Sequence, residues 1–188
     1  MSIQPYWVFL IIAKKMGWNI GKEKTIEVRK NYPKDENWNK VAKIYCSKDK
    51  KSFAKIPKEY QPLMEQFLGK VIGEFVCKCI SEWNIDPQTK GYFITSEELT
   101  AICLTYEQLH EYGNGKTLYG IHISDLVIYD KPKKLGEFKK INRVCWYADL
   151  GLAKRDCPEC KNEGCFIQRP PQSWCYVERS DNNGERII

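Results

Sequence analysis

The chain lacks an apolar run long enough to cross a membrane. The run Trp7 to Ala13 is short, whereas a spanning helix needs about 20 apolar residues. No basic region precedes that run and no small-residue cleavage site follows it, so it does not read as a secretory signal. The expected location is cytoplasmic, with mostly reduced thiols, although the nine cysteines form an odd count. No internal repeat is visible, which argues against a solenoid. Gly113-Asn114-Gly115-Lys116 lacks the glycine spacing and the following Ser or Thr of a phosphate-binding P-loop, so it reads as a turn. A second Cys-x-x-Cys is also missing, which withholds the simplest four-cysteine zinc pattern.

What is present suits one domain. A chain of 188 residues can build one real core, and two full domains are not expected. The expected organisation is a single unit over 1–180, with a helical insertion at 81–120, a cysteine-rich segment at 145–168 and a flexible tail at 181–188. Aromatic residues make up 13%, including six Trp and eleven Tyr. They serve either as core or as stacking platforms for bases. The net charge of +6 favours a polyanion without demanding nucleic acid.

Pro5 predicts a helix start, and Tyr6 to Met16 carries Trp7, Leu10 and Ile11 on one stripe. Strands are predicted over Lys24 to Lys30, Val41 to Cys46, Gly69 to Ile80 and Ile121 to Asp130, the last ended by Pro132. Gly69 to Ile80 is apolar on both faces, as for a central strand. Ser96 and Thr105 are placed to cap short helices, the second ending at Gly113. The lysines of residues 47 to 62, around Phe53, read either as a solvated loop or as a track for a phosphate backbone. Several strands with few helices predict an α+β fold, most economically a small barrel with helices at its rim.

The most informative stretch is Lys24-Thr25-Ile26-Glu27-Val28-Arg29-Lys30. Strand alternation puts Ile26 and Val28 on one face and Glu27 and Arg29 on the other, flanked by Lys24. Such a set can hold a polar ligand or move a proton; otherwise it is a solvated edge strand with cross-strand ion pairs. Glu74, inside an apolar strand, needs a partner, for which Arg29 or Lys24 is available. Trp7 and Trp174 are candidate stacking residues, with core packing as the alternative. His122 is kept as a secondary cleft residue, with a structural histidine as the alternative. Cys157-Pro158-Glu159-Cys160 has the spacing of a metal knuckle. With Cys165 and Cys145 it predicts a structural zinc, Cys175 being the alternative fourth ligand and unliganded cysteines the alternative state. No organic cofactor is expected. Cys77 and Cys79 read as core fillers.

These residues resemble the ASCH domain of the PUA-like superfamily. The carriers are Ile3, Pro5, Trp7 and Val8, then Lys24 to Lys30, then Gly69 to Phe75; the closing Arg169 to Glu178 is similar to the terminal strand of bacterial and phage ASCH proteins. The family motif, Gly-x-Lys-x-x-Glu-x-Arg, is matched by Lys24, Glu27 and Arg29. Its glycine position holds Lys22, with Gly21 one residue early, so the turn into the strand is expected to differ. The resemblance implies a small β-barrel binding RNA or a modified nucleotide in a cleft lined by Lys24, Glu27 and Arg29, with no membrane partner. It also implies an alternative, an amidohydrolase acting on an acylated nucleoside such as N4-acetylcytidine, with Lys24 and Glu27 as catalytic residues. The family's threonine three positions after the lysine is here Glu27, and Glu74 is a provisional second carboxylate. A third possibility is a phage-encoded protein-interaction module.

Overall fold

The computed structural model describes residues 1–32 and 41–138, together with 167, 169–172, 175 and 177. In chain order the elements are β1 Ser2–Ile3, α1 Pro5–Ile12, β2 Ile26–Arg29, β3 Val41–Cys46, α2 Lys50–Phe53, α3 Gln61–Glu65, β4 Lys70–Trp83, α4 Ser96–Ile102, α5 Tyr106–Gly113 and β5 Leu118–Lys134, followed by a 3-10 turn at Leu135–Glu137. The result is an α+β fold built on one five-stranded mixed sheet in the order β1-β3-β4-β5-β2. No helix among the described residues is long and apolar enough to cross a membrane.

The expected closed barrel does not form. β1 and β2 stand at opposite edges of the sheet, and with two and four residues they offer little backbone for a closing ladder. β4 is central, as its two-sided apolar pattern predicts, and pairs with β3 and β5. Register shifts at Val71/Gly73, Glu74/Val76 and Cys77/Ile80 interrupt the long β4–β5 ladder, and such bulges bend a strand and increase its twist. β5 continues through Pro132. The register jumps from Gly73↔Ile128 to Val71↔Lys133, so the proline falls where no ladder partner stands and no donor is lost.

α1 starts at Pro5 in the first helical position, with Gln4 extended before it. Its helical span stops at Ile12, and Gly17 at φ 72° supplies the positive angle of the turn beyond. Five successive residues, Val8 to Ile12, are buried, so α1 is a core helix rather than an amphipathic one. It packs against Ala42, Ile44, Ile72, Phe75 and Ile121 of the sheet. A second core joins Ile26 and Val28 to Trp83, Ile102, Leu109 and Leu118. α4 and α5 both begin with a capping box, Thr95 with Glu98 and Thr105 with Gln108. The caps therefore fall at Thr95, one residue before the expected Ser96, and at Thr105 as expected. Cys103 and Asn114 end these helices in the left-handed conformation. Of the paired cysteines on β4, Cys77 is buried and Cys79 is exposed, so only the first is core.

Candidate functional site

β2 has all four residues buried, which removes the solvated-edge reading. Ile26 and Val28 enter the second core, while Glu27 and Arg29 occupy the other face at 6% and 9% exposure. Backbone bonds fix the approach to this strand. Lys24 N–H donates to Leu10 O at 3.3 Å, and Thr25 N–H donates to Ala101 O at 2.9 Å. Lys24 is thereby held between α1 and α4. Gly21, at φ 67°, makes the turn ahead of Lys24.

The Lys24 ammonium donates to Ile102 O at 2.9 Å. That carbonyl ends α4, where no helical donor follows and the helix dipole favours a cation. The same ammonium lies 3.6 Å from Glu27 Oε2 and 5.1 Å from the centre of the Trp7 ring. Arg29 Nη2 reaches Glu27 Oε1 at 2.9 Å and donates to Ser2 O at 2.6 Å. Arg29 thus spans the seam between the two edge strands, β2 and β1. Burial lowers the Lys24 pKa below the ordinary lysine value, with Glu27 opposing the shift.

Lys24, Glu27 and Arg29 all line a cleft of about 1510 Å³. Trp7 lies on the same wall, half-buried beneath the Lys24 ammonium. α4 and α5 also line the cleft, including Glu97, Glu111 and Tyr112. Lys30 stands 4.8 Å over the Tyr112 ring. Taken as charged, the three buried groups carry two positive charges against one negative. Burying an incompletely matched set is costly, and Arg29 Nε has no hydrogen-bond partner among the described residues. The site is therefore chemically suited to accept further negative charge or carbonyl oxygen.

Two expected participants lie elsewhere. His122 pairs with Ile26 across the β2–β5 ladder, and directly opposed residues share a sheet face. His122 consequently lies on the opposite face from Glu27, where its Nε2 meets Ser81 Oγ at 2.9 Å, and it is not part of the cleft lining. Glu74 does not meet Lys24 or Arg29 either. It binds Lys43 at 2.8 Å and accepts from Tyr129 Oη at 2.7 Å. Burial would raise its pKa, but the hydrogen bonds from Lys43 and Tyr129 hold it below the usual carboxylate range. The expected loop at 47–62 contains the short helix α2 and the start of α3, and its lysines remain exposed.

Trp174, Cys145, Cys157, Cys160 and Cys165 lie outside the described residues, as do four of the six residues of the expected 173–178 strand and all of the 181–188 tail. Cys175 is half-buried against the cluster of Tyr45, Val71, Phe138 and Ile167. Among the described residues no group of three or more His, Cys, Asp or Glu is placed to hold a metal. The sequence reading missed Ser47, Glu97, Glu111 and Tyr112 as cleft residues. No local pattern marks them, because the fold-back of α4 and α5 and the β1–β3 pairing create their proximity. The chain matches none of the protein-family models and none of the curated proteins with which it was compared.

Proposed function

We propose that this protein is an ASCH-like, PUA-related domain that binds RNA or a modified nucleotide in the cleft at Lys24, Glu27 and Arg29. The observation that carries the reading is the burial of these three charged side chains on the wall of a large cleft. Lys24 and Arg29 offer donors to base carbonyls or phosphate, and Glu27 offers an acceptor to an exocyclic amine. Tyr112, more exposed than Trp7, offers a base a ring face if Lys30 swings aside.

The hydrolase reading draws support from one feature, the desolvated Lys24, since a lysine whose charge is disfavoured can act as a base. It lacks the Glu74 carboxylate, which is engaged with Lys43 and Tyr129. Binding is therefore the preferred reading. The Cys157, Cys160 and Cys165 spacing, with Cys145 or Cys175, supports a structural zinc as part of the same proposal.

The test is to incubate the protein with a digest of modified nucleosides from total RNA and follow retention and conversion by mass spectrometry. Retention of an unchanged nucleoside, lost in Lys24→Ala and Arg29→Ala, supports binding. Conversion stopped by Lys24→Ala establishes the hydrolase instead. Wild-type retention in both variants refutes the assigned cleft.

A further inference from the structure

On the α4–α5 wall the cleft carries the carboxylates Glu97 and Glu111, with Lys30 over the Tyr112 ring beside them. A second wall, formed by Ser2, the start of α1, Ser47 just after β3 and Lys55 just after α2, carries a lysine and no carboxylate. On that second wall α1 presents its N-terminal end, through Gln4, Tyr6 and Trp7. The chain itself closes this end only in part. Gln4 makes no capping hydrogen bond and the first turn holds no acidic residue. Tyr6 N–H is taken by Ser52 Oγ at 3.1 Å, while Trp7 N–H has no partner among the described residues.

A second observation points to the same place. Two buried side-chain atoms without a hydrogen-bond partner among the described residues are Arg29 Nε and Ser47 Oγ, and both residues line this cleft. Arg29 is more than nine-tenths buried, and its Nη2 already reaches Ser2 O, just ahead of α1. Unsatisfied buried donors are costly. Here they accompany a helix N-terminus whose Trp7 N–H has no partner among the described residues and a solvent-facing lysine, a combination suited to a tetrahedral anion.

From this arrangement we infer a phosphate subsite formed by the N-terminal turn of α1, Arg29, Ser47 and Lys55. The inference rests on the nucleotide-binding reading and deepens it. The ligand's phosphate lies toward α1 and α2, and its amine-bearing edge points toward Glu97 and Glu111. An isolated nucleoside therefore fills only part of the cleft.

The experiment titrates the full chain with inorganic phosphate, cytidine and cytidine 5′-monophosphate in turn, following backbone amide resonances. Phosphate is expected to shift the amides of Tyr6, Trp7 and Ser47. The Ser47→Ala/Lys55→Gln double variant, which leaves the Lys24–Glu27–Arg29 set intact, is expected to weaken phosphate binding about tenfold or more. The monophosphate is expected to bind more tightly than cytidine, by a factor that the double variant removes. Phosphate shifts that are absent, or unchanged in the double variant, overturn the subsite even if cytidine binds. Binding of phosphate and of the monophosphate with the expected variant dependence but no response to cytidine supports the subsite and counts against base recognition, whereas phosphate binding with no response to the monophosphate overturns it as a nucleotide subsite.

Discussion

Glu27 is the single carboxylate among three buried charges, so replacing it with the near-isosteric glutamine is the sharpest test of how the site is held. The substitution keeps the shape and leaves two cations without their anion: the Lys24 ammonium at 3.6 Å and the Arg29 guanidinium at 2.9 Å. Breaking a buried pair by removing one partner costs about 3–5 kcal/mol. That is a large part of a typical total stability of about 5–15 kcal/mol. For a chain of this size it corresponds to a fall in Tm on the order of 10 °C. The cost should depend on pH with a definite sign. Lys24 already has a folded-state pKa below its ordinary value of 10.5, and loss of Glu27 lowers it further. Between the folded and unfolded values the unfolded chain binds more protons, so stability rises with pH through that window. The deficit of Glu27→Gln is therefore largest near neutrality and shrinks as Lys24 sheds its proton. Urea denaturation of both proteins at about pH 7 and about pH 9.5 measures this directly. A loss below about 1 kcal/mol, equal at both pH values, would refute the buried-triad account.

Other predictions test separate parts of the molecule. Gly120→Ala places a Cβ against the Trp83 indole and within 3.0 Å of Ile26 Cγ2; it is expected to cost about 1–3 kcal/mol in denaturant unfolding. Glu74 has a lowered pKa in the folded state, so its contribution is present above the unfolded carboxylate pKa of about 4.3 and is lost as pH falls through the folded value. Glu74→Gln should flatten the acid limb of the stability profile, and an unchanged acid limb would contradict this. For the cysteine-rich segment, native mass spectrometry should find one zinc per chain in the wild type and none in Cys160→Ser; a stable, metal-free wild type would end that proposal.

The local elements were largely legible. Pro5 marked a helix start, Val41 to Cys46 a strand, Thr105 a cap and Gly69 to Ile80 a central strand, because proline geometry, capping chemistry and two-sided hydrophobicity act over a few residues. The alternation of Ile26 and Val28 with Glu27 and Arg29 is likewise a property of any extended strand, so the two-faced character of β2 followed from sequence. What local pattern did not contain was the surroundings of each face. Lys24 to Lys30 is as compatible with a wet edge as with a buried site. Burial came from α1 on one side and α4 on the other, which bring the Lys24 ammonium to Ile102 O, 78 positions away. The same limit explains Glu74 and His122. Their polar character was visible, but the ladder decided that Glu74 faces Lys43 and Tyr129, and that His122 shares the face of Ile26. The barrel expectation failed because closure depends on how much backbone the edge strands offer. The sequence by itself determined the strands, the caps and the charged triplet, whose causes are local in the chain. Only the tertiary structure decided that Arg29 bridges the open seam and that the triplet lines a cleft, because both depend on segments distant in sequence meeting in space.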